Sequence, residues 1–72
     1  MGKYANKARY HEKQIRYYHA TAGENGYKQA MYHWDELGRL RLSGDKTDAI
    51  VISEIIKSLD EIMTEMKDRA VE

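Results

Sequence analysis

Cysteine, proline and phenylalanine are all missing from this chain of 72 residues. Without cysteine the fold has no disulfide bond and no thiolate metal site, which fits a reducing compartment. Without proline, glycine is the main residue that can break a helix. The aromatic residues are six tyrosines and one tryptophan. A core that relies on tyrosine is expected to be partly exposed, because tyrosine is favoured where one side is packed and the other is wet.

Long apolar runs and an excess of one charge are missing as well. No stretch approaches the roughly 18 apolar residues of a membrane span, and the N-terminus lacks a signal-peptide core, so we expect no membrane association and a cytoplasmic location. Residues 1–42 hold eight Lys or Arg against four acids, whereas residues 43–72 hold four against eight. This division favours either attraction between oppositely charged helices or a basic docking face on the N-terminal half.

Glycine positions divide the chain into three segments. Gly23 and Gly26 mark one break, and Gly44 follows Ser43 in the position of a helix C-cap residue. The sequence therefore predicts one all-α domain, residues 1–72, with helices near residues 3–22, 25–42 and 46–70. Short connections place consecutive helices antiparallel, which predicts a small up-down-up three-helix bundle with a long C-terminal helix.

The C-terminal helix carries one continuous apolar stripe, with acids and lysines on its opposite side. The stripe is centred on Leu59, and Asp45 and Thr47 offer N-cap oxygens before it. Because this helix is about two turns longer than the second, we expect one of its ends to project and to expose Ile52 or Met66. A second copy of the chain would cover such a surface. The predicted oligomer interface consists of Ile52, Ile55, Met63 and Met66.

The middle helix presents one apolar face, on which Trp34 is expected to be the central packing residue. Gly38 shares this face and costs about 1 kcal/mol of helix propensity relative to alanine. Its presence there predicts that a neighbouring backbone or ring lies close to it. The face consists of Tyr27, Ala30, Met31, Trp34, Leu37 and Gly38.

The first helix has aromatic residues on both of its sides. Its inward stripe consists of Tyr4, Ala8, His11, Ile15, Tyr18 and Ala22. The opposite side, here called the outer face, consists of Arg9, Tyr10, Lys13, Arg16 and Tyr17. Arginine and tyrosine are enriched at protein interface hot spots, and they also contact phosphates and stack on bases. The outer face is either a solvated helix back or the predicted partner-binding surface.

Residues for catalysis or metal binding are sparse. The serines lie in no G-x-S-x-G motif, and the glycines form no phosphate-binding loop. His11 and His19 are two turns apart, whereas His33 and Glu36 share a face at i,i+3 but supply only two ligands. We therefore predict no catalytic residue, no metal site and no cofactor. His11 is interpreted as a histidine at the edge of the core, with a pH-responsive or interface role as the alternative.

These observations favour a small non-enzymatic interaction or regulatory protein of the adaptor or inhibitor type. Its expected partner is another protein, bound through the outer face, or a second copy of itself. The alternative is nucleic-acid binding through the same face. Against that alternative, the chain has no net charge, and the helix that would occupy the recognition position of a helix-turn-helix is acidic.

Overall fold

The computed structural model describes residues 3–21 and 26–70, which form three α-helices. Helix α1 spans Lys3–Thr21, α2 spans Tyr27–Ser43 and α3 spans Lys46–Ala70. The predicted all-α three-helix fold is confirmed, and the helix bounds agree with the prediction to within two residues where they can be compared. Ala22 and Asn25, at the predicted end of the first helix and start of the second, lie outside the described residues.

Contacts between the helices show how they run. Tyr4 at the start of α1 lies beside Gly44 at the end of α2, and the side chains of His11 and His33 meet near the middle of both helices. These two helices are therefore antiparallel. His19, near the end of α1, contacts Glu65 near the end of α3, so α1 and α3 run in the same direction. The result is the up-down-up bundle, 39 Å long and 16 by 15 Å across.

The start of α3 is defined by an N-cap. The backbone N–H of Asp48 donates to the Asp45 carboxylate oxygen Oδ1 at 2.8 Å, which satisfies one of the free donors in the first helical turn. Just before it, the Gly44 N–H donates to the Leu40 carbonyl oxygen at 2.9 Å and closes α2. Of the two N-cap candidates in the sequence, Asp45 is thus the residue whose oxygen caps α3.

The core runs along the bundle axis between the three helices. Its largest fully buried side chains are Ile15, Leu37, Ile52, Leu59 and Met66. Partly buried tyrosines and Trp34 pack around this core. Burial of five large aliphatic side chains at about 1.5 to 3 kcal/mol each is the main favourable term for a chain of this size.

The four residues predicted to form an oligomer interface lie in this core. Ile52 and Met66 are completely buried, and Ile55 and Met63 are 5% and 6% exposed. The expectation that a projecting end of α3 exposes Ile52 or Met66 is therefore wrong. The physical reason is that the last turn of α3 beyond Met66 is polar, with exposed Lys67, Asp68 and Arg69, so an unequal helix length leaves charged residues rather than the apolar stripe in water.

The buried face of α2 also differs from the prediction. Its buried residues are Ala30, His33 and Leu37, whereas Trp34 lies at the flank and is only partly buried. Apart from the backbone of its own helix and its two chain neighbours, no atom lies within 4 Å of the position that a Cβ would take on Gly38. The prediction of a close neighbour at Gly38 is therefore wrong. Rotation of α2 by part of a turn, which brings His33 inward, accounts for both differences.

Candidate functional site

The five residues of the outer face are all exposed on α1, and the structure divides them into two groups. Arg9 and Arg16 flank Glu12, with guanidinium to carboxylate distances of 3.9 Å and 3.2 Å. Lys13 lies between the two arginines along the helix axis and makes no ion pair within residues 3–21 and 26–70. The two arginines of the outer face thus share one carboxylate, whereas Lys13 does not pair with it.

The two tyrosines of the outer face contact other aromatic rings. The ring of Tyr10 meets that of His11 edge-on, with centroids 5.2 Å apart, and meets His33 of α2 at 6.0 Å. The ring of Tyr17 meets that of Tyr18 edge-on at 5.3 Å. Tyr10 therefore reaches across to α2, and this part of the outer face continues onto the second helix.

His33 is the centre of an aromatic group that joins α1 to α2. Its ring lies 5.0 Å from the ring of His11, 6.2 Å from that of Tyr18 and 5.0 Å from that of Tyr32. His33 is only 8% exposed. The aromatic cluster is defined here as Tyr10, His11, Tyr17, Tyr18, Tyr32 and His33.

Local sequence explains why the two histidines meet. His11 stands three residues after Ala8 and four before Ile15, on the buried stripe of α1. His33 has the same relation to Ala30 and Leu37 on the buried stripe of α2. Because the antiparallel helices bring the middles of these stripes together, the Nδ1 atoms of the two rings lie 2.8 Å apart, which is a hydrogen-bond distance.

The protonation state of this pair follows from its surroundings. A hydrogen bond between two imidazole nitrogens needs one N–H donor and one bare acceptor, so both rings can be neutral. Burial lowers the pKa of His11 below its ordinary value of 6.5, although the negative charge of Glu36 opposes this. Burial also lowers the pKa of His33, as does the charge of His11, again opposed by Glu36. The neutral pair is therefore the stable form at pH 7.

A second polar contact joins α1 to α3 at the far end of the bundle. The Nε2 atom of His19 lies 3.3 Å from the Glu65 oxygen Oε1, and the Arg69 guanidinium donates to the same oxygen at 2.6 Å. His19 is partly exposed and Glu65 and Arg69 are exposed, so the contact is expected to contribute little to stability. His19 therefore lies apart from His11 and His33 and is a useful control position for variants of those two residues.

No known protein family, no curated protein and no solved structure matches this sequence. Within residues 3–21 and 26–70, no helix combines the length and apolar character that a membrane span needs. The part of the chain that the structure describes contains no pocket and no group of three or more His, Cys, Asp or Glu arranged around a metal position. Its most distinctive features are thus the aromatic cluster and the outer face that adjoins it.

Sequence reasoning found part of this site. It identified the exposed residues of α1, and it placed His11 on the inward stripe. It missed His33 and Tyr32, since the face of α2 was centred on Trp34. The available signal was the spacing of His33 from Ala30 and Leu37, which repeats the spacing of His11 from Ala8 and Ile15.

Proposed function

We propose that this chain is a non-enzymatic protein-interaction module of the adaptor or inhibitor type, which binds its partner through the outer face of α1 and the adjacent Tyr32. The observation that carries the proposal is the exposure of three tyrosines: Tyr10 is 55% exposed, and Tyr17 and Tyr32 are each 58% exposed. Tyrosine and arginine are enriched in protein interfaces, where a rigid aromatic ring offers a large contact area.

The charge of α1 favours a partner segment that is rich in Asp or Glu. This helix holds five Lys or Arg, and Glu12 is its only acid. The pairs that Glu12 makes with Arg9 and Arg16 are on the surface, where such pairs contribute about 0 to 1 kcal/mol. The guanidinium groups can therefore exchange Glu12 for carboxylates of a partner at small cost, and planar guanidinium groups suit bidentate carboxylate binding.

Nucleic-acid binding through the same face is the alternative, because cations next to exposed aromatic rings also suit phosphates and bases. The charge of the whole molecule favours the protein partner. The chain has no net charge and a pI near 6.8, whereas a nucleic-acid-binding domain usually has a pI above about 9. In addition, α3 carries six acids against four Lys or Arg.

Self-association stays a prediction, but the residues first chosen for it are poor candidates. Ile52, Ile55, Met63 and Met66 already pack against α1 and α2 as part of the common core. A dimer built on them would require the bundle to open. Light scattering after size-exclusion chromatography measures the oligomeric state directly, and a stable monomer at micromolar concentration would contradict a homodimer.

The proposed interaction is tested by site-specific photo-crosslinking. A photoreactive amino acid at position 17 on α1 is compared with one at position 61 on the outer side of α3, in an extract of the source organism. The proposal expects a protein crosslinked from position 17 and absent from position 61. Equal crosslinking from both positions, or crosslinking to nucleic acid alone, would contradict it.

The purified partner is then titrated with variants of the outer face. An Arg16→Glu, Tyr17→Ala variant is expected to weaken binding at least tenfold, as is usual when interface anchors are removed. Lys57→Glu reverses an exposed charge on α3 and serves as the matched control. If the control loses as much affinity as the outer-face variant, the outer face is not the surface that binds the partner. Tight binding of oligonucleotides that weakens steeply with salt would favour the alternative function.

A further inference from the structure

The histidine pair brings together two potential metal-ligand nitrogens from different helices. The Nδ1 atoms of His11 and His33 lie 2.8 Å apart, and their rings are tilted by 45° with centroids 5.0 Å apart. In the absence of metal, one proton shared between these nitrogens explains the contact. Neutral imidazole is also the commonest protein ligand for metal ions, and a metal ion can take the place of that proton.

We propose that His11 and His33 form a bis-histidine site for a divalent transition-metal ion of tetragonal geometry, Cu²⁺ before Ni²⁺, which links α1 to α2. At a metal–nitrogen distance of about 2.0 Å, two adjacent ligands at right angles are about 2.8 Å apart, whereas tetrahedral ligands are about 3.3 Å apart. The 2.8 Å spacing of the hydrogen-bonded pair is closer to the first arrangement, so two ligands at right angles need the smaller movement of the rings. Zinc prefers the second. The general affinity order of divalent ions also places Cu²⁺ first.

The electrostatics around the pair act in both directions: burial opposes a positive charge there, whereas Glu36 favours one. Both Nδ1 atoms must be unprotonated to bind metal, and the neutral pair reaches that form when the ring that donates moves its proton to Nε2. No proton has to leave the protein at pH 7. The negative charge of Glu36 acts on both rings, and it would partly balance the charge of the bound ion.

The site has two protein ligands, so water would complete the coordination shell. This agrees with the lack of any larger group of ligand residues within residues 3–21 and 26–70. The rings of Tyr10 and Tyr32 lie 6.0 Å and 5.0 Å from that of His33 and are more than half exposed, so rotation of these side chains can admit the ion. Because its two protein ligands come from different helices, such an ion would act as a cross-link between α1 and α2.

The test is thermal unfolding of the full chain at pH 7.5 with added Cu²⁺, Ni²⁺ or Zn²⁺. When the concentration of free Cu²⁺ is about ten times its dissociation constant, the ratio of folded to unfolded chain increases about elevenfold. For a chain of this length, that shift raises Tm by about 6 to 11 °C. The increase is expected to be largest for Cu²⁺ and smallest for Zn²⁺. His19→Asn should keep the full increase, whereas His11→Asn and His33→Asn should lose it.

Electron paramagnetic resonance of the Cu²⁺ complex keeps the proposal testable if a core histidine variant fails to fold. The wild-type chain and the folded His19→Asn variant should both show a tetragonal signal with hyperfine splitting from two imidazole nitrogens. Splitting from fewer nitrogens in either protein would overturn the proposal. It would also be overturned by equal Tm increases in His11→Asn and the wild type, by a larger increase with Zn²⁺ than with Cu²⁺, or by no increase at all.

Discussion

Gly38 and Gly44 lie six residues apart, yet an added methyl group meets opposite surroundings at the two positions. At Gly38, inside α2, no atom beyond the local helix backbone and the two chain neighbours lies within 4 Å of the position of the new Cβ. At Gly44, that position is 2.9 Å from the Asp48 Cβ, 3.3 Å from the Leu40 carbonyl oxygen and 3.4 Å from the Tyr4 Cβ. The same substitution, glycine to alanine, should therefore change stability in opposite directions.

The Gly38→Ala substitution should stabilise α2 without displacing any neighbouring side chain. Alanine is favoured over glycine in a helix interior by about 0.5 to 1 kcal/mol, mainly because the unfolded chain loses conformational freedom. With about 4 to 8 °C of Tm per kcal/mol in a domain of this size, we expect Tm to rise by about 2 to 8 °C.

For Gly44→Ala the backbone angles are acceptable, since φ is −79° and ψ is 170°. The cost is steric. Asp48 is in the first turn of α3, and its N–H is bound to Asp45, so its Cβ cannot move without shifting the start of the helix. Overpacking costs about 1 to 3 kcal/mol, and the lower entropy of the unfolded chain offsets about 0.4 to 1 kcal/mol of it. The difference between these ranges is about 0 to 2.6 kcal/mol, and we expect a net loss near its midpoint, about 1.3 kcal/mol.

Both variants and the wild type are compared by urea unfolding monitored by circular dichroism, with thermal melts in parallel. The slope m of the free energy of unfolding against urea concentration should be the same in all three proteins if only their stability differs. A Gly44→Ala variant as stable as the wild type would refute the close approach of α1, α2 and α3 at this turn. A destabilised Gly38→Ala variant would refute the open surroundings of Gly38 and would support the close neighbour that the sequence predicted.

Two further predictions concern protons and the helix cap. Burial lowers the pKa of His11 and His33 in the folded chain below 6.5, so at pH values near and below 6.5 the unfolded chain binds more protons than the folded chain. The free energy of unfolding should therefore be constant above about pH 7.5 and should fall as pH decreases through 6.5. This decrease should be absent when both residues are replaced by glutamine. Stability that stays level between pH 7 and 5 would contradict the buried neutral pair. Asp45→Ala should cost about 0.5 to 2 kcal/mol of unfolding free energy because the Asp48 N–H loses its acceptor. Thr47→Ala is the control, and an equal loss there would show that Asp45 is not the cap.

The existence and approximate ends of the helices could be predicted because the responsible signals are local. Apolar spacing around Leu59, the cap residue Asp45 and the break at Gly44 act within one or two helical turns, where the chain contacts itself. The outer face of α1 was likewise predictable from helical angle alone. Each of these inferences needed only the regular geometry of one helix.

The rotation of each helix about its own axis was not predictable in the same way. Trp34 and His33 are adjacent, so a rotation of about 100° exchanges which of them faces the core. That choice depends on how side chains from all three helices fill the space around Leu37 and Ile15, which are both fully buried. The large Trp34 remains at the flank, and His33 is accepted in the core because His11 supplies a hydrogen-bond partner.

The length of α3 shows the same division between local and tertiary information. Its 25 residues follow from the periodic stripe, but the environment of its ends does not. Met66 is buried because the bundle covers it, and the exposed final turn is charged. Three amphipathic helices, their order and the basic outer face follow from the sequence alone, because these depend on neighbouring residues in the chain. The meeting of His11 with His33 and the packing of the α3 stripe within one molecule became evident in the folded chain, because both depend on contacts between residues distant in sequence.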